Sequence, residues 1–180
     1  MEFEKPIALI GFMGVGKTTL GKLLATRLCC QFVETDTLIE QRTQKTIIEL
    51  FQRGESTFRE YEAIICQEIV SYRNSVVSCG GGMIFNPNNL LLLQNHTHLI
   101  LLTASFQEIY KRLEQQNFQN RPLINLEMPF ESLLQLYNQR RPVYISATSH
   151  SINTENKPID SILDELEELV HVLDGGAKHG

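Results

Sequence analysis

The sequence predicts a single α/β domain built on a parallel sheet, and three observations carry that expectation. Short apolar runs, Ile7-Ala8-Leu9-Ile10 and Leu99-Ile100-Leu101-Leu102, read as strands buried on both faces. Amphipathic helical stretches separate such runs, the alternation that a parallel sheet with crossover helices requires. The chain has 180 residues and 42% hydrophobic content, which suits one full-sized core rather than two.

Taken in order, the first strand ends at Gly11, and Leu20, Leu23, Leu24 and Leu28 then recur at helical spacing, predicting a helix over 17–28. A strand is expected at 31–34, followed by helices at about 36–43, 46–53 and 57–71 and a strand at 75–79 that runs into Gly80-Gly81-Gly82. Pro87 precedes a Leu-rich helix, and His96 and His98 are read as loop residues flanking the strand at 99–102. Residues 105–116 look helical, whereas 117–127 lack periodicity and contain Pro122, which forbids a continuous helix. A helix from about 130 toward Tyr144 and a short strand near 150–153 follow. The last helix carries Ile159, Ile162, Leu163, Leu166, Leu169, Val170 and Leu173 on one side, with Gly175-Gly176 ending it and disorder expected beyond.

Charge and cysteine usage narrow the classes of function. A formal net charge of −5 argues against nucleic-acid binding, which needs a basic surplus, so an anionic ligand must be held by local arginines. Cys29, Cys30, Cys66 and Cys79 form no C-x-x-C pair, which excludes a typical zinc site and reads as reduced thiols. No apolar run approaches a membrane span, and the acidic residues at the N-terminus are unlike a signal peptide. A cytoplasmic protein without a membrane or nucleic-acid partner is expected, acting as a monomer.

The strongest local signal is Gly11-Phe12-Met13-Gly14-Val15-Gly16-Lys17-Thr18, which fits G-x-x-x-x-G-K-[ST] between a strand and a helix. The glycines let backbone N–H groups turn around phosphate oxygens, and the helix N-terminus adds positive potential. Gly14, Val15, Gly16, Lys17, Thr18 and Thr19 are therefore the expected phosphate cradle. Lys17 supplies charge between the β- and γ-phosphates, and the Thr18 hydroxyl can ligate Mg²⁺. A GTPase switch would need D-x-x-G after a strand and N-K-x-D for guanine; the stretch from Asn156 to Asp160 has one residue too many.

Three more features converge on a second substrate. Glu34-Thr35-Asp36 ends the second predicted strand, where parallel sheets place their ligands. Gly54-Glu55 and Phe58-Arg59 open a helix, with Glu62 on the same face as Arg59. Ser78-Cys79-Gly80-Gly81-Gly82 ends the next strand, and its three glycines admit a ligand close to the backbone. Phe51 and Phe58 are read as lining the pocket, and Asp36 also as a possible helix cap.

With these residues in place, the sequence closely resembles the shikimate kinase family. The matching stretches are GFMGVGKTTLGKLLA from Gly11, TD-x-x-IE at 35–40, GE-x-x-FR-x-x-E at 54–62, S-x-GGG at 78–82, RPL at 121–123 and R-x-P-x-Y at 140–144, in order over most of the chain. The resemblance implies a three-layer P-loop kinase fold with a five-stranded parallel sheet. It makes residues 1–180 one domain, with a substrate-binding segment at about 34–62 and a lid at about 117–127. It implies ATP-dependent phosphorylation of shikimate to shikimate 3-phosphate, with magnesium, in aromatic amino-acid (chorismate) biosynthesis. Asp36 would contact a shikimate hydroxyl, Arg59 and Arg140 would grip its carboxylate, and Gly80, Gly81 and Gly82 would line its pocket. Arg121 would be a lid arginine reaching the transferred phosphate, and Arg112, Lys157 and Pro158 would touch the adenine.

The chemistry of these residue types agrees. A guanidinium matches a planar carboxylate with two parallel hydrogen bonds, and an acid beside the attacking hydroxyl can orient it and take its proton. One departure stands out: the family usually carries Asp-x-Asp where this chain has Glu34-Thr35-Asp36, so the acid near the metal is one methylene longer. Glu34 and Ser78 are expected near the metal through water. Another small-molecule kinase, such as a gluconate kinase, and a nucleotide-binding relative without catalysis are the alternative readings.

Overall fold

The computed structural model describes residues 3–115 and 130–176. Five parallel strands form one sheet: β1 (Ile7–Ile10), β2 (Gln31–Glu34), β3 (Ser75–Ser78), β4 (His98–Thr103) and β5 (Ser151–Asn153), in the order β2-β3-β1-β4-β5. Every residue of β1 and β3 is buried. Because successive side chains point to opposite faces, full burial means that helices cover both sides of the sheet.

The helices are α1 (Lys17–Arg27), α2 (Thr35–Thr43), α3 (Ile47–Arg53), α4 (Glu55–Ile69), α5 (Pro87–His96), α6 (Phe106–Gln115), α7 (Phe130–Ala147) and α8 (Ile159–Gly176). The inward face of α1 buries Leu20, Gly21, Leu24 and Ala25 against the sheet, and α8 packs on α1 with Ile162, Leu163, Leu166 and Val170 buried. Gly21 is needed there: a Cβ would lie 2.7 Å from the Phe32 ring. Outside that contact Arg27 joins the two helices, donating to Asp160 at 2.7 Å and Asp164 at 2.5 Å. The short α3 is started by a capping box, in which Thr46 Oγ1 accepts from the Glu49 N–H and the Glu49 carboxylate accepts from the Thr46 N–H.

The register positions the ligand end of the sheet. Leu9 of β1 is level with Ser78 of β3, and Ser78 is level with Glu34 of β2. The loop after β1, the start of α2 and the glycines after β3 therefore leave the sheet side by side, on the edge where its strand order reverses.

Several sequence expectations shift. His98 is the first residue of β4 rather than a loop residue, 9% exposed, with Nε2 3.8 Å from Asp174 of α8, and His96 closes α5. Asp36 is the second residue of α2, so the cap position belongs to Glu34. The helix expected to stop toward Tyr144 continues to Ala147 with Pro142 inside it, because Tyr144 and Ala147 are buried and tertiary packing outweighs the lost backbone bond. The last helix, by contrast, ends at Gly176 as the glycine pair predicts. A 3₁₀ turn, Met83–Phe85, follows the triple glycine and was not expected. The aperiodic segment 117–127, with Arg121, and the residues after Gly176 lie outside the described residues.

Candidate active site

A cleft of about 920 Å³ opens over the strand ends and is lined from one end by the P-loop and from the other by α3, α4, the triple glycine and Arg140. At the P-loop, Gly14 and Gly16 adopt φ of 78° and 105°, left-handed values that side chains resist and that let the loop curl before α1. Lys17 Nζ donates to the carbonyls of Gly11 at 2.8 Å and Phe12 at 3.2 Å, which holds the ammonium across the mouth of the loop. Thr18 and Thr19, on the first turn of α1, face the same cleft.

Below the loop, Thr18 Oγ1 donates to Glu34 Oε1 at 2.5 Å, and Glu34 Oε2 accepts from Thr37 Oγ1 at 3.2 Å. Ser78, 3% exposed, lines the cleft beside them. Hydroxyl and carboxylate oxygens next to a phosphate cradle are hard donors of the kind Mg²⁺ takes in small number while keeping several waters. The extra methylene of Glu34 does not stop its carboxylate from reaching Thr18.

Beside the P-loop, Arg112 is locked in place. Its Nε donates to Glu108 at 2.8 Å, Nη1 to Thr154 Oγ1 at 3.0 Å and the Val15 carbonyl at 3.3 Å, and Nη2 to the Thr154 carbonyl at 2.8 Å. Lys157 also lines the cleft, with its ammonium on Glu165 at 2.6 Å, whereas Pro158 is exposed and lies outside the lining.

The opposite end concentrates charge over a glycine floor. A Cβ on Gly80 would lie 2.6 Å from Asp36 Oδ1 and 3.1 Å from Glu62 Oε1, so two carboxylates converge on that bare backbone. A Cβ on Gly82 would lie 1.8 Å from Arg59 Nη1; the guanidinium occupies the space that only glycine leaves open. Arg59 also packs over the rings of Phe51 and Phe58, with Cζ 5.8 and 5.4 Å from their centroids, and those rings meet at a 35° tilt with centroids 4.6 Å apart. Arg140 lies over Phe85 at 5.0 Å, and among the described residues no carboxylate stands within ion-pair distance of it.

Two supporting residues were not singled out by sequence. Thr35, fully buried, accepts the Gly80 N–H at 2.8 Å, and Tyr144 donates to the Gly81 carbonyl at 2.5 Å. Tyr144 follows Arg140 by one helical turn, so the R-x-P-x-Y spacing did carry a signal. Burial pushes the Tyr144 hydroxyl well above its usual range, keeping it a donor. Burial also lowers Arg140, with the like charge of Arg59 adding to the effect, although a guanidinium stays protonated at neutral pH. For Glu62, burial outweighs the Arg59 contact and, with Asp36 adding its charge, pushes the carboxyl up to about 7.

Fold and cleft together define a P-loop kinase. The family model described as Shikimate kinase matches residues 13–171. Over 170 residues the chain is 39% identical to "Shikimate kinase" of Pelotomaculum thermopropionicum, covering 94% of this chain and 95% of that protein. The structure of shikimate kinase from Acinetobacter baumannii in complex with shikimate superposes with a TM-score of 0.85 at 30% identity, covering 92% of each chain. Shikimate kinase from Bacteroides thetaiotaomicron gives 0.84 at 32% identity, covering 95% of this chain and 99% of that one. The chain belongs to the shikimate kinase family.

The raised Glu62 carboxyl makes folding favour its protonated form. Its contribution to stability is full below its ordinary value of 4.5 and is lost as pH rises toward about 7. Urea unfolding of the parent and Glu62→Gln across that range is expected to show the parent losing stability relative to the variant. A difference independent of pH would mean that Arg59 keeps the carboxylate ionised throughout.

Proposed function

We propose that this protein transfers the γ-phosphoryl group of ATP to a hydroxyl of shikimate, giving shikimate 3-phosphate and ADP. The observation that carries the reading is one continuous cleft with a phosphate cradle at one end. At the other, Asp36 and Glu62 converge on Gly80, Arg59 lies over Gly82 and the Phe51 and Phe58 rings, and Arg140 lies over Phe85. Such an end suits a compact alcohol that carries a carboxylate.

In this reading the cradle N–H groups and Lys17 hold the β- and γ-phosphates, Arg112 and Lys157 flank the nucleoside, and Pro158 stays at the rim. Arg59 and Arg140 take the shikimate carboxylate, which sets the ring over Gly80, Gly81 and Gly82 and turns a hydroxyl toward Asp36. Asp36 orients that hydroxyl and accepts its proton as the oxygen attacks phosphorus and the bond to the β-phosphate oxygen breaks. Thr18, Glu34 and Ser78 would hold Mg²⁺, Thr18 directly and the other two through water; the ion, when bound, neutralises charge on the phosphates. Arg121, known here from sequence alone, is assigned to charge that develops during transfer. The reading keeps the protein a monomer in the cytoplasm, where its thiols would stay reduced.

A coupled ADP-release assay against shikimate, quinate, gluconate and water tests the acceptor, with shikimate expected to give by far the highest kcat/KM. Preference for gluconate would transfer the chain to the other kinase class, and loss of all four would favour a non-catalytic relative. Lys17→Ala is expected to lower transfer by orders of magnitude without loss of fold; near-normal turnover would remove the kinase reading. Gly82→Ala puts a methyl group where the Arg59 guanidinium lies and drives it from buried Glu62, so it should lower the melting temperature, spare nucleotide affinity and weaken shikimate binding about tenfold or more, as loss of a charge-assisted contact predicts. Glu34→Ala should raise the magnesium needed for half-maximal rate, whereas Glu34→Asp should change little. Identical magnesium curves for the parent and the alanine variant would leave Glu34 a surface acid.

A further inference from the structure

The two acceptor arginines differ in one respect that sequence does not show. Arg140 has no carboxylate at ion-pair distance among the described residues, but Arg59 has two. Glu55 Oε1 accepts from Arg59 Nε at 3.1 Å and from Nη2 at 2.7 Å, covering one edge of the guanidinium. Glu62 Oε2 accepts from Nη1 at 2.5 Å.

These two acids are held very differently. The Glu62 side chain is 2% exposed and enclosed beside Gly80, whereas Glu55, at the first position of α4, is 61% exposed. Glu55 can swing into water at small cost; Glu62 cannot. Arg59 does not need Glu55 to stay seated, because Phe51, Phe58, Gly82 and Glu62 already fix its guanidinium.

We infer that Glu55 is an exchangeable carboxylate: it covers Arg59 in the empty site and gives way to the carboxylate of the acceptor. The inference rests on the reading that Arg59 and Arg140 hold that carboxylate. Exchange of one carboxylate for another at the same N–H groups keeps charge and hydrogen-bond number nearly constant. The acceptor therefore gains from Arg59 only what exceeds the hold of Glu55. A neutral alcohol cannot displace Glu55 and meets an occupied guanidinium, so the exchange also selects for anionic acceptors. Glu55 is a positioning residue that acts through Arg59, and it sets acceptor affinity.

Glu55→Gln keeps the side-chain shape and removes the competing charge; Glu55→Asp keeps the charge on a shorter stem. Calorimetric titration with shikimate, and with the analogue whose carboxylate is reduced to a hydroxymethyl group, separates the possibilities. Glu55→Gln is expected to bind shikimate roughly two- to fivefold more tightly, the range expected from removing an exposed ion pair. The gain should appear in KM rather than in kcat. The analogue should gain nothing, and Glu55→Asp should lie nearer the parent. Weaker shikimate binding by Glu55→Gln, with an unchanged melting temperature, would make Glu55 a support for Arg59 and overturn the exchange. Unchanged binding would overturn it as well. If the parent itself does not bind shikimate, the acceptor reading fails and the inference with it; if the parent binds and the variant does not gain, the exchange alone fails.

Discussion

Leu9, Ser78 and Glu34 stand level across three neighbouring parallel strands, and the P-loop, the acids and the glycine floor of the cleft leave the sheet beyond that row. Parallel strands all end on one side, so the phosphate loop after β1, the acid pair at the start of α2 and the glycines after β3 emerge as neighbours. Antiparallel pairing of any one of them would carry its segment to the far side. The buried apolar strands are thus the condition for the chemistry, because only they keep the register.

Above that row the structure manages a dense set of charges. Asp36 and Glu62 crowd one bare backbone position, and Arg59 and Arg140 lie near each other on aromatic rings. Burial raises Glu62 and lowers Arg140, the directions in which each group gives up charge more readily. The glycine floor makes this crowding sterically possible, and Thr35 and Tyr144 keep the floor itself from shifting by taking the Gly80 N–H and the Gly81 carbonyl. At this end of the cleft the exposed acid is Glu55, with 61% of its side chain open to solvent.

Most of the architecture was legible because it rests on local patterns. The apolar runs, the P-loop glycines and Pro87 at the first position of α5 each specify their element within a few residues. Errors fell where distant contacts decide. His98 reads as a polar flank but is drawn into β4 beside Asp174, and Pro142 sits inside α7 because residues on both sides of it are buried. Thr35 sits between two acids, and nothing local shows that its hydroxyl meets a glycine 45 positions away.

The sequence by itself determined the chemical repertoire: a P-loop, acids at the end of β2, arginines on the helices and a run of glycines after β3. These are properties of residue type and spacing along the chain. Only the tertiary structure decided how those charges are buried and seated. The contacts of Arg59 with Glu55 and Glu62 lie within α4 at spacings the sequence shows, but the enclosure of Glu62, the seat of Arg59 over Gly82 and the lack of a carboxylate beside Arg140 among the described residues depend on which elements face each other across the cleft. Pairing of charges varies with distance and burial, and both are set by the packing of elements far apart in the chain.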